Sequence, residues 1–135
     1  MPGIERLKQR REFLTVAGQG RKWATPGLVL QALHRPEARE GLRYGLTASR
    51  KVGGAVVRNR ARRRLRALAE RLLPEAGRGD TDYVLIARAA TVARPFDALE
   101  RDLMVALERV ARPRPERRGP DSRPDRRDDA RTRSS

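Results

Sequence analysis

The chain has no cysteine and a single histidine, His34. Without thiols there are no disulfides, no thiolate chemistry and no Cys-ligated metal. One histidine and scattered carboxylates assemble no Ser–His–Asp constellation and no metal-ligand spacing. Long hydrophobic runs are missing as well. "LVLQAL" and "YVLIA" are the longest, far short of the roughly 20 residues that cross a bilayer. No apolar stretch follows the basic start, so no signal peptide is expected, no membrane is expected as partner, and the expected location is the cytoplasm. The most telling absence is local: residues 49–68, "SRKVGGAVVRNRARRRLRAL", contain no acid beside eight basic residues.

The whole chain of 135 residues carries a formal charge of +15. From 112 to 135, nine arginines face five acids, so this tail accounts for +4 and leaves +11 for residues 1–111. A body of that size repels itself unless a polyanion stands against it, and nucleic acid is the expected partner. Residues 1–111 are long enough for one domain with a modest core. Beyond Pro113, Arg, Asp, Pro and Ser dominate and no apolar residue exceeds Ala, so residues 112–135 are expected to be a disordered tail.

Along the body, residues 5–17 carry an imperfect helical spacing that ends in "GQG". "RKWAT" suggests a short strand, and "LVLQALHR" and "RYGLTAS" suggest two strands joined as an antiparallel hairpin. Val57, Ala61, Leu65, Leu68 and Leu72 then form a helical stripe, ended by Pro74 and the "GRGD" loop. "YVLIARA", residues 83–89, is the clearest buried strand. Pro95 opens a last helix whose stripe is Phe96, Leu99, Leu103, Leu107 and Val110. The order αβββαβα predicts one sheet with helices packed on it, an α+β architecture.

On the central helix Arg58, Arg62 and Arg66 lie four apart along one ridge, Asn59 and Arg63 lie opposite the stripe, and Arg60 and Arg64 fall on the other flank. An ordinary solvated face mixes charge signs, whereas this one does not. Crowded arginines destabilise an isolated helix slightly, and their planar forks grip phosphate oxygens bidentately. Arg50 and Lys51 precede Gly53-Gly54, which suits close approach of backbone amides to phosphate and suits a plain turn equally.

"SRKVGGAVVRNRARRRLR" resembles the signature of the protein subunit of bacterial ribonuclease P, with Arg58-Asn59-Arg60 as its core. "RLKQRREFLTVAGQGRK", "YGLTASRKVG" and "DYVLIARAA" are similar to further segments of that family, so the resemblance spans about residues 6–110. It implies an α/β sandwich with a four-stranded central sheet and a left-handed βαβ crossover. It implies that Arg50, Lys51, Arg58, Asn59, Arg60, Arg62, Arg63 and Arg66 bind a catalytic RNA. Phe13, with Lys8, Arg10 and Gln31, would bind the 5′ leader of precursor tRNA in a cleft between the first helix and the sheet. Two positions depart from the family pattern: Ala17 and Gln31 stand where members often carry aromatics. Trp23 is a candidate substitute in that cleft, with a core or sheet-edge position as the alternative.

By the same resemblance the RNA subunit binds Mg²⁺ and cleaves, and the protein, with no catalytic residue of its own and no obligate protein partner, positions and screens. Asp80 and Asp82 in "GRGDTD" are the one pair suited to a hydrated Mg²⁺, and loop solubility explains them better. His34, at a strand end, has no partner in view. The rival reading is a ribosomal-type structural RNA-binding protein. A DNA-binding protein is a weaker rival, because no helix-turn-helix pair or half-site signal is present.

Overall fold

A computed structural model of the chain describes residues 3–35 and 41–112. The expected disorder of the tail concerns residues that, apart from Arg112, lie outside this range. In chain order the elements are β1 (Gly3–Arg6), α1 (Arg10–Gln19), β2 (Arg21–Ala24), β3 (Leu28–His34), β4 (Gly41–Thr47), α2 (Ala55–Ala76), β5 (Thr81–Ala87), a 3-10 turn (Ala89–Thr91) and α3 (Phe96–Ala111). The α+β class holds, with one strand more than expected.

The sheet has five strands in the order β1-β4-β5-β3-β2. β1, β4 and β5 are parallel, β3 is antiparallel to β5, and β2 is antiparallel to β3. The expected hairpin of β3 with β4 does not form, because β5 lies between them. Six of the seven β5 residues are buried, so this strand needs neighbours on both edges and takes the middle. β1 carries no signal in the sequence: a four-residue edge strand is too short to show a period, and the helical spacing expected over residues 5–17 overlaps its last two residues. That helix starts later, where the Glu12 carboxylate accepts the backbone N–H of Gln9 and of Lys8 at 3.0 and 2.9 Å.

α2 also runs past its expected end, through Pro74 to Ala76. Pro74 is exposed and forfeits only one hydrogen bond near the terminus, after which the Gly77 N–H closes on the Leu73 carbonyl at 2.9 Å. The strand expected at 83–89 begins two residues earlier and ends at Ala87, which moves Asp82 from a loop into the sheet.

Two apolar layers make the sandwich. Leu28, Leu30, Tyr44 and Leu85 pack under α2 (Ala61, Leu65, Leu68, Leu73) and α3 (Leu99, Leu103, Leu107). Each such leucine contributes about 1.5–3 kcal/mol on burial. On the other face α1 packs Phe13 and Val16 against Val84, Ile86 and Leu33. Each helix follows one parallel strand in the chain, β1 leading to α1, β4 to α2 and β5 to α3, and α1 lies across β5, β3 and β2. α2 and α3 both begin beyond the carboxyl ends of the parallel strands β4 and β5, so their N-termini, with partial positive charge, lie at one end of the sheet.

Candidate nucleic-acid interface

The loop from 48 to 54 enters α2 through two glycines. Gly53 has φ +152°, and a Cβ there would sit 2.8 Å from Val57 Cγ1, so only glycine fits. Gly54 caps the helix without a side chain, and the first turn of α2 holds no acid. The N–H groups and dipole at this terminus thus favour an anion. Burial in α2 begins only at Ala61. Val56 is 74% exposed and Val57 is 37% exposed, so the stripe expected from Val57 onward starts one turn later, and the first turns project beyond the core.

Around this projection Arg50, Lys51, Asn59, Arg60, Arg63 and Arg66 are exposed, and Arg58 and Arg62 are half-buried. Arg58 donates to the Gly53 carbonyl at 3.1 Å, fastening the loop to the helix. Arg62 donates to Asn59 Oδ1 at 2.9 Å. Among the described residues only Arg66 of this set has an acidic partner, Glu70, at 3.2 Å. The Tyr44 hydroxyl and Arg66 together hold the Glu70 carboxyl below its ordinary range. All eight expected RNA-contacting residues therefore share one region of the loop and α2.

Arg64, counted with them by charge, has a different place. Its guanidinium donates to the carbonyls of Thr91 and Arg94, each at 2.7 Å, and to that of Val92, and it lies 5.8 Å from the Phe96 ring centroid. It ties α2 to the connection before α3. No local signal announces this, because the acceptors lie 27–30 residues further on.

The second expected site lies on the α1 face. In register, Lys22, Gln31, Val84 and Gly45 form one row across four strands, their side-chain directions shared. Phe13 is half-buried, and its ring occupies the space a side chain at Gly45 would need. Gln31 is half-buried two strands away in the same row, and Lys8 and Arg10 are exposed at the start of α1. The structure thus brings Phe13 and Gln31 to one face. Trp23 is not there: it pairs with Leu30 on the opposite face and lies under Arg109, 4.9 Å from guanidinium to ring centroid. It is a sheet-edge residue and takes no part in the α1 face. Ala17 is exposed on α1.

Beneath α1 runs an ion-pair network that sequence reading missed. Asp82, 2% exposed, accepts from Arg43 Nε and Nη2 at 2.9 and 2.7 Å and lies 2.8 Å from Arg35 Nε. Arg43 also donates to Glu12 Oε2 at 2.9 Å. The N–H groups of Gln9 and Lys8, and Arg43 beside them, hold the Glu12 carboxyl below its ordinary range. His34 does have a partner: its Nε2 lies 2.7 Å from Asp80 Oδ2, and the Asp80 carboxyl is held low by that contact. With Asp82 committed to two arginines and Asp80 to a histidine, this pair does not suit a hydrated Mg²⁺. Among the described residues no group of three His, Cys, Asp or Glu is arranged to hold a metal, and no helix is long and apolar enough to cross a membrane.

What the arrangement offers chemically is cationic forks, helix N-termini and one half-open aromatic, the equipment for holding an RNA strand. A model of the Ribonuclease P family matches residues 1–111. The chain is 47% identical over 110 residues to a ribonuclease P protein component from Paramagnetospirillum magneticum, covering 79% of this chain and 83% of that protein. It is 50% identical over 105 residues to one from Gluconacetobacter diazotrophicus, covering 78% and 90%. The solved structure of the RNase P protein from Thermotoga maritima superposes with a TM-score of 0.66 at 26% identity, covering 78% of this chain and 97% of that one. The basic helix, the fold and these relatives agree, and the chain belongs to the family of ribonuclease P protein components.

Proposed function

We propose that the chain is the RNA-binding subunit of a ribonucleoprotein endoribonuclease that removes the 5′ leader of precursor tRNA in the cytoplasm. The acid-free N-terminal region of α2, set beyond the carboxyl end of β4, carries this reading. Arg50, Lys51, Asn59, Arg60, Arg62, Arg63 and Arg66 contact the RNA subunit, and Arg58 holds the Gly53 loop in place beside them. Phe13, Gln31, Lys8 and Arg10 receive the leader, with about 1–3 kcal/mol from each base stacked.

The RNA supplies the Mg²⁺ and the hydrolytic chemistry. The protein screens repulsion between two polyanions and holds the leader, and it requires no protein partner for this. The committed states of Asp80 and Asp82 support the assignment of metal to the RNA. If 6–10 phosphates are covered, affinity falls by roughly 10³–10⁵ between 50 and 200 mM salt.

The test is cleavage of a precursor tRNA by a bacterial ribonuclease P RNA at low Mg²⁺, with no protein, with this protein, and with Arg60→Ala/Arg63→Ala. Rescue by the native chain and weaker rescue by the double variant are expected. Binding without any rescue would instead favour a structural RNA-binding protein of ribosomal type.

A further inference from the structure

β1 places an arginine where no sequence pattern pointed. Arg6 stands opposite Tyr44 in register, and its guanidinium carbon lies 5.4 Å from the Tyr44 ring centroid. Tyr44 belongs to the core layer under α2, so Arg6 faces α2 across the edge of the sheet. From the helix side Asn59, Arg62, Arg63 and Arg66 line the same gap, and Leu46 of β4 lies in the sheet beneath it. The result is a cleft of about 260 Å³ between the edge strand and the basic helix.

Its chemistry is divided. Four guanidinium groups border it; Arg62 and Arg63 have no acidic partner among the described residues, and Arg6 makes no ion pair within 4 Å but lies near enough to Glu70 to interact with its charge. Glu70, bonded to Arg66 and to the Tyr44 hydroxyl, is the acid found beside it. The sheet side is aliphatic. A row of duplex phosphates needs only the cations, because its bases are stacked out of reach. An unpaired nucleotide uses both parts: its phosphodiester takes bidentate arginine contacts, and its base or ribose covers an apolar surface or an arginine plane. The volume lies just below the usual range of pockets for drug-sized ligands, on the scale of one nucleotide.

We propose that this cleft is a binding site for a single unpaired nucleotide of the RNA subunit. Its phosphate sits between Arg6 and the Arg62–Arg66 ridge, and its base or sugar lies on Leu46. The inference rests on the RNA-binding reading above and adds to it a residue, Arg6, and a strand, β1, outside the basic helix.

Two measurements on the full chain test it. In the first, the affinity and salt dependence of binding to the RNA subunit are compared for the native chain, Arg6→Ala, Arg6→Lys and the control Arg71→Ala. Arg71 is exposed and paired with Glu100 at 2.9 Å. Arg6→Ala is expected to bind about tenfold more weakly with a salt slope lower by about one. Arg6→Lys should restore the slope and only part of the affinity, and Arg71→Ala should bind as the native chain does. Melting temperatures accompany each variant, and Arg6→Lys keeps the test sharp if Arg6→Ala melts early.

In the second, the Leu46 methyl resonances are followed by NMR on addition of adenosine 5′-monophosphate or of inorganic phosphate. Methyl shifts with the nucleotide and not with phosphate are expected. Native RNA affinity in both Arg6 variants would remove the cleft from the interface and leave the RNA-subunit reading standing. Equal responses to phosphate and nucleotide would reduce it to a phosphate site and overturn the proposal. A native chain that binds no RNA would overturn the RNA-subunit reading itself.

Discussion

Glu12 on α1 and Asp82 on β5 are joined through one guanidinium: Arg43 donates Nη1 to Glu12 at 2.9 Å and Nε and Nη2 to Asp82 at 2.9 and 2.7 Å. This bridge sets how α1 lies on the sheet, and hence where the adjacent Phe13 sits over Gly45. Its strength comes from burial, since the Asp82 side chain is only 3% exposed and an unpaired carboxylate there is costly.

Arg43→Ala should therefore destabilise the fold by about 3 kcal/mol, because Asp82 keeps Arg35 alone as a cationic partner. Urea denaturation measures it. A change within experimental error would show that the bridge is replaceable by water.

Acid should weaken the fold. The carboxyls of Glu12, Glu70 and Asp80 are all held below their ordinary values in the folded chain, by backbone N–H groups, by the Tyr44 hydroxyl and by His34 respectively. A lowered folded value means that the stabilisation is present above the unfolded value and is lost as pH falls through the folded one. Melting temperature should fall as pH drops below the ordinary carboxylate range, and Glu12→Gln should flatten part of that fall. An identical acid profile for the variant would remove Glu12 from the account.

Arg64 and Arg60 should separate stability from binding. Arg64→Ala strands three carbonyl contacts and should lower stability by about 2 kcal/mol. Arg60→Ala, exposed and without an ion-pair partner among the described residues, should leave the melting temperature unchanged and weaken RNA binding. Equal effects of the two on melting would contradict this division.

Gly45→Ala tests the place of Phe13. The added methyl would meet the Phe13 ring, so a cost of about 1–3 kcal/mol and weaker leader-dependent binding are expected. Precursor tRNAs with and without a leader, compared for affinity, give the readout. Native leader discrimination in a folded variant would take Phe13 out of the leader site.

The composition of the chain and the periodicity of its long elements were legible directly. The α3 stripe from Leu99 to Val110 and the Leu65–Leu68 centre of α2 are buried as their spacing requires, because a helix brings residues three and four apart onto one face whatever surrounds it. The acid-free charge of residues 49–68 was equally visible, and with it the expectation of nucleic acid. Strand neighbours were decided elsewhere. β5 entered between β3 and β4 because a strand buried on both faces must be central, and nothing within β3 or β4 encodes that partner. The same holds for side chains that look alike in sequence. Arg60 and Arg64 are one turn apart on one helix, yet the carbonyls that claim Arg64 come from the connection before α3. Asp82 resembled a loop acid until β5 carried it beside Arg43, 39 residues distant. Local spacing determines which face a residue occupies; contacts between segments far apart in the chain determine what waits on that face.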